Sequence, residues 1–84
     1  MDRAPSPGTV TVDLHGKTAY QARVTVDAAL RRADQSVYRL TLIHGFRQGT
    51  ALRDMLAEEY AGHPRVKRLT RPEEGVTVLV LREL

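Results

Sequence analysis

Asp13, His15 and His44 are the side chains best suited to chemistry in this sequence. Asp13 and His15 stand two apart in Val12-Asp13-Leu14-His15-Gly16-Lys17-Thr18. Residues two apart in an extended chain point the same way, so the carboxylate can hold the imidazole in one tautomer and raise its basicity. His44 stands further along, in Leu42-Ile43-His44-Gly45. Taken singly, each has a plainer reading: a D-x-H triplet can simply end a strand, and a lone His after a buried strand is commonly a hydrogen-bonded framework residue. Taken together, two imidazoles and a carboxylate can move protons at a phosphodiester, one ring accepting and the other donating.

Both His-Gly pairs end an apolar extended run and precede a helical pattern. Val10, Val12 and Leu14 alternate with Thr11 and Asp13, which predicts a half-buried strand. Thr18 and Gln21 fit a capping box, and Ala22, Val26, Ala29, Leu30 and Ala33 then recur at helical spacing over Ala19 to Ala33. Val37 to Ile43 reads as a second strand and Gly45 to Gly49 as a loop. Thr50 is placed to cap a second helix with Leu52, Met55, Leu56 and Tyr60 as its apolar stripe, ended by Gly62 and Pro64. Val66 to Thr70 and Val76 to Leu81 then form a hairpin about a longer turn, Arg71-Pro72-Glu73-Glu74-Gly75.

The expected fold is therefore α/β, a two-layer βαβαββ sandwich with a four-stranded mixed sheet and both helices on one face. Strands are expected near residues 9–14, 37–43, 66–70 and 76–81, and helices near 18–33 and 50–61. Residues 1–8 read as a flexible tail and residues 9–84 as a single domain. A crossover helix makes the first two strands parallel, so their carboxyl ends, with Asp13, His15 and His44, should meet at one sheet edge.

The 84-residue chain has room for one modest core, and 42% hydrophobic with 27% charged residues is a globular composition. Its lack of cysteine excludes disulfides, thiolate metal sites and a cysteine nucleophile, and the chain reads as cytoplasmic. No apolar run approaches the roughly 20 residues of a membrane span, so no membrane partner is expected. The spacing of Asp13, His15 and His44 is not diagnostic of a metal, and no metal ligands are assigned. The loop before Thr50 lacks the lysine of a phosphate-binding loop, which argues against nucleotide hydrolysis.

The net charge of +3 is carried mainly by arginine, the side chain suited to bidentate phosphate contact. Gly16 and Lys17, the loop residues Gly45, Arg47 and Gly49, and Thr50 at the second helix start form one candidate phosphate-binding set. Phe46 is the aromatic placed to stack on a base. Arg65, Lys67, Arg68 and Arg71 form a second basic set on and after the third strand, read either as a backbone-tracking stripe or as charges that guard a sheet edge.

These residues resemble one family along nearly the whole chain, from about Val10 to Leu81. Val12-Asp13-Leu14-His15-Gly16 with Thr18, the Leu42-Ile43-His44-Gly45 strand end, Leu52-Arg53, and Gly75-Val76-Thr77-Val78 are similar to the small MutS-related (Smr) domain. The resemblance implies a sandwich like the carboxyl-terminal domain of translation initiation factor three. It also implies nucleic-acid binding and endonuclease activity, with family members linked to nicking DNA and to cutting messenger RNA on stalled ribosomes. It carries the acidic and histidine positions to Asp13, His15 and His44, the glycine loop to Gly45 and Gly49, and a basic position to Arg53. Arg47 stands where the family commonly has a further glycine, and Glu73-Glu74-Gly75 replaces a glycine-rich turn.

The expected function is thus endonucleolytic cleavage of RNA or DNA. On RNA, His15 oriented by Asp13 would take the 2′-hydroxyl proton while His44 protonates the leaving oxygen, and no cofactor is required. On DNA, which lacks that internal nucleophile, a water and a divalent ion, Mg or Mn, would be needed. The expected partners are RNA or DNA and the ribosome, with the domain a monomer or weak dimer. The alternatives are a noncatalytic adaptor that binds nucleic acid or the ribosome, and a protein-interaction module that binds no nucleic acid.

Overall fold

A computed structural model of the protein describes residues 8–46 and 49–83. The element order is β1 (Thr9–Asp13), α1 (Ala19–Arg32), β2 (Arg39–Ile43), α2 (Ala51–Tyr60), β3 (Arg68–Glu73) and β4 (Val76–Val80). The strands form one four-stranded sheet in the order β1-β2-β4-β3. β1 runs parallel to β2, and β4 is antiparallel to both β2 and β3. The mixed sheet and its two helices agree with the fold expected from the sequence.

Strand alternation decides what each face of the sheet carries. Leu40 and Leu42 of β2 and Leu79 of β4 are buried in one cluster with Ala22, Val26 and Leu30 of α1 and with Leu56 and Tyr60 of α2. Both helices therefore cover the same face. The other face presents cross-strand rows, Asp13–Ile43–Val76–Glu73 at one end and Thr9–Arg39–Val80–Arg68 at the other. Between them lies Thr11–Thr41–Val78–Thr70.

The capping box of α1 is complete, with Thr18 accepting from the Gln21 amide and the Gln21 side chain accepting from the Thr18 amide. Tyr60, 1% exposed, fastens α2 to α1 by donating to the Asp27 carboxylate at 2.7 Å. Burial first, and then the Asp27 bond, push its phenol well above the ordinary tyrosine range.

Three local expectations are corrected. β3 runs on through Arg71 and Pro72 to Glu73, so the turn is only Glu74-Gly75. Pro72 is tolerated because β3 is an edge strand whose register shifts between Thr70 and Glu73. Thr50 occupies the N-cap of α2 but caps no backbone amide; its hydroxyl donates to Asp54 at 2.9 Å instead. Gly8, placed in the tail by the sequence, is tied to the sheet, its carbonyl accepting from the Tyr38 and Arg39 amides. The rest of the expected tail lies outside the described residues.

Candidate active site

The parallel pairing sets Asp13 opposite Ile43, so the segments after β1 and β2 leave the sheet at the same end. The Leu14 amide extends the ladder to the Ile43 carbonyl at 2.7 Å. Beyond it the chain turns at Gly16, whose φ of +81° is costly for any residue with a Cβ. His15 is thereby held against Asp13. Its Nδ1 donates to Asp13 Oδ1 at 2.8 Å and its backbone amide donates to the same oxygen at 3.1 Å. These bonds, the side-chain one first, hold the Asp13 carboxyl below its usual range. The His15 side chain is 73% exposed, and its Nε2 makes no hydrogen bond to a described residue.

His44 stands at the same end but on the helix-covered side, and it is only 8% exposed. Its Nδ1 lies 3.0 Å from the Gly45 carbonyl, which can only accept, so that nitrogen carries the proton. Nε2 then accepts from the hydroxyl of Thr77, which is fully buried, at 2.9 Å. Backbone bonds reinforce the arrangement, since the His44 and Gly45 amides both donate to the Gly75 carbonyl, at 2.8 and 3.0 Å. A Cβ on Gly75 would sit 3.2 Å from the Gly45 Cα, forcing the turn to give by a few tenths of an ångström, and the φ of +80° there favours glycine as well. His44 is thus bonded through both ring nitrogens, and neither bond goes to Asp13 or His15.

A cleft of about 360 Å³ opens beside this framework, between the β3–β4 turn and the start of α2. Gly49, Thr50, Arg53, Arg71, Glu73 and Glu74 are among its walls, and Phe46 stands at it 59% exposed. Arg53 also lies 3.3 Å from Asp54 of its own helix. On the other side of Gly45, Lys17 and the first residues of both helices line a smaller cavity. Gly16, Lys17, Gly45, Phe46, Gly49, Thr50 and Arg53 therefore gather at the end that holds Asp13 and His15. Arg47 lies outside the described residues.

Arg65, Lys67 and Arg68 do not join them. β3 begins at Arg68 opposite Val80, which in turn pairs with Arg39 at the start of β2, so this group occupies the far end of the sheet. Arg65 is engaged there in capping α1, its guanidinium donating to the Leu30 and Ala33 carbonyls. Arg68 donates to Glu83 at 2.7 Å. Sequence reasoning missed Thr77 and grouped Arg71 with Arg65, Lys67 and Arg68. Thr77 could not be found from spacing, because its partner His44 is distant in the chain. Arg71 is carried to the cleft instead because β3 runs on toward the Glu74-Gly75 turn.

The fold is a small α/β domain, a βαβαββ sheet with an exposed carboxylate–imidazole pair at its strand ends. The Smr domain family model matches residues 12–82. The crystal structure of the Smr domain of Thermus thermophilus MutS2 matches with a TM-score of 0.74 and 37% sequence identity, covering 87% of this chain and 98% of that one. No curated protein sequence matches. The chain belongs to the Smr domain family. Among the described residues no helix is long and apolar enough to cross a membrane.

Proposed function

We propose that this Smr domain is a nucleic-acid-binding endonuclease whose proton transfer is carried by the Asp13–His15 pair, with RNA as the substrate its residues fit best. The supporting observation is the 2.8 Å bond that fixes the His15 Nδ1 proton on Asp13 and directs the Nε2 lone pair outward. Nε2 takes the proton of a ribose 2′-hydroxyl, and the oxygen attacks the adjacent phosphorus. The 5′-oxygen departs with a proton from solvent, which reaches so open a site, leaving a 2′,3′-cyclic phosphate. Lys17 supplies positive charge next to Asp13 as charge builds on the phosphate. His44, bonded on both nitrogens, acts here as a positioning residue for the Gly45 turn rather than as the acid.

DNA cleavage needs a water nucleophile and a divalent ion to activate it. Among the described residues no three or more His, Cys, Asp or Glu side chains gather as a metal site. The direct test is incubation with labelled single-stranded RNA and with duplex DNA, with and without chelator. RNA cut to cyclic-phosphate ends at the same rate in chelator supports the proposal; cleavage of DNA alone, or loss of RNA cleavage on chelation, contradicts it.

A second reading, an adaptor that binds RNA or a ribosomal surface without cutting, draws support from Glu73 and Glu74. Their carboxylates line the cleft and oppose a phosphate there. Tight binding with no product would select it.

A further inference from the structure

The charges of the domain are unevenly shared between the two ends of its sheet. At the Asp13 end the cations Lys17, Arg53 and Arg71 are matched by Asp13, Asp54, Glu73 and Glu74. At the far end cations dominate. Arg39 and Arg68 flank Val80 on the face that no helix covers. Arg82 lines one cavity with Arg39 and Glu83 and an adjoining one with Lys67, Arg65 and the carboxylate of Asp34. Arg39, Lys67, Arg68 and Arg82 are all exposed, and Arg68 is the one of them that forms an ion pair among the described residues. The Arg68 hydrogen bond and charge, followed by the charges of Lys67 and Arg39, hold Glu83 below the usual carboxylate range, which shows how closely these cations crowd it.

The same uncovered face carries Asp13 at its other end, and His15 turns back to bond Asp13. From Arg39 to Ile43, opposite Asp13, the path along β2 is about 13 Å at about 3.3 Å per residue. Between the two ends lie Thr11, exposed, Thr41 and Thr70, half-buried, and Val78, buried, with no aromatic among these described residues.

We propose that the uncovered sheet face is a track for a nucleic-acid backbone, with Arg39, Lys67, Arg68 and Arg82 as a phosphate anchor set apart from the Asp13–His15 site. This rests on the nucleic-acid reading above and adds where and how the strand is held. Threonine hydroxyls and guanidinium groups contact phosphate and sugar, contacts that carry no base information. The anchor and the site are thus about 13 Å apart along β2, at about 3.3 Å per residue. Oligonucleotides too short to reach both are held weakly. Glu83 competes with the nucleic acid for Arg68, so removing its charge strengthens binding.

The test is fluorescence anisotropy over a salt series with a labelled 2′-O-methyl RNA of about 20 nucleotides, which offers no 2′-hydroxyl to attack and stays intact. The proteins compared are the unmodified chain, the triple variant Arg39→Gln/Lys67→Gln/Arg82→Gln, and Glu83→Gln. Loss of three phosphate contacts is expected to weaken binding at least tenfold and to flatten the slope of log K against log salt by about 2, at about 0.7 per single-strand contact. Glu83→Gln is expected to bind several-fold more tightly. Unchanged melting of the triple variant establishes that it is folded. Binding by the unmodified chain that survives in the triple variant with the same salt slope overturns the track and leaves the nucleic-acid reading standing. No binding by the unmodified chain at low salt overturns that reading and the track with it.

Discussion

The two strand–His–Gly units of this domain share a local pattern and meet opposite fates. After β1, His15 is exposed, bonded on one nitrogen to a carboxylate, and free on the other among the described residues. After β2, His44 is buried and bonded on both. Part of the difference is phase. Val10, Val12 and Leu14 point toward the helices, so the next residue, His15, points away; Leu40 and Leu42 do the same in β2, and His44 falls in step with them. The other part is sheet order. β1 is an edge strand, whereas β2 is flanked by β4, which brings Thr77 and Gly75 against His44. A motif thus ends exposed or built into the framework according to its register with the core, not its spelling.

The strongest way to break this contrast is to exchange the effects of the two histidines. His15→Ala should lower RNA cleavage by about 10²–10⁴-fold, the usual contribution of a positioned acid–base group. Because its ring is exposed, stability should stay within about 0.5 kcal/mol, read from urea unfolding. His44→Ala should do the reverse in kind, costing about 1–3 kcal/mol of stability by stranding the buried Thr77 hydroxyl. Its loss of cleavage should be recovered where the remaining fold is restored by low temperature or osmolyte.

A smaller loss, about 1 kcal/mol, is expected for Thr77→Val, which keeps the shape and removes one hydrogen bond. Combined with His44→Ala it should be clearly non-additive, with coupling of about 0.5 kcal/mol or more in a double-mutant cycle. The smallest effect sharpens the other unit. Asp13 has a lowered pKa in the folded chain, so its stabilising contribution is present above the ordinary carboxylate value of 3.8 and is lost as pH falls through the lowered one. Asp13→Asn should therefore lower the urea midpoint slightly at neutral pH, and the gap to the unmodified chain should close in strong acid.

Much of this architecture was legible in the chain because local signals agreed. The capping box at Thr18 and Gln21, the spacing of Ala22, Val26 and Leu30, and the alternation through Val10, Val12 and Leu14 all gave the elements the structure contains. The Asp13–His15 contact was readable for the same reason, since residues two apart in sequence need no distant partner. What escaped depended on contacts far apart in sequence. Pro72 looked like a turn former until β3 proved to be an edge strand with a register shift. Arg65 looked like a phosphate ligand until the end of α1 supplied it with two carbonyls. The basic set at Lys67 and Arg68 had no place relative to the site in the sequence, and the antiparallel β3–β4 pairing puts it at the opposite end.

The claim that one histidine reacts while the other supports is tested most directly by carbethoxylating the folded protein with diethyl pyrocarbonate. Each histidine's occupancy would be mapped by peptide mass spectrometry, and RNA cleavage measured on the same samples. The account predicts that His15 is modified rapidly, that activity falls in proportion to its occupancy, and that His44 stays unmodified until the protein unfolds. Modification of His44 as fast as that of His15, or full activity with His15 blocked, would contradict it.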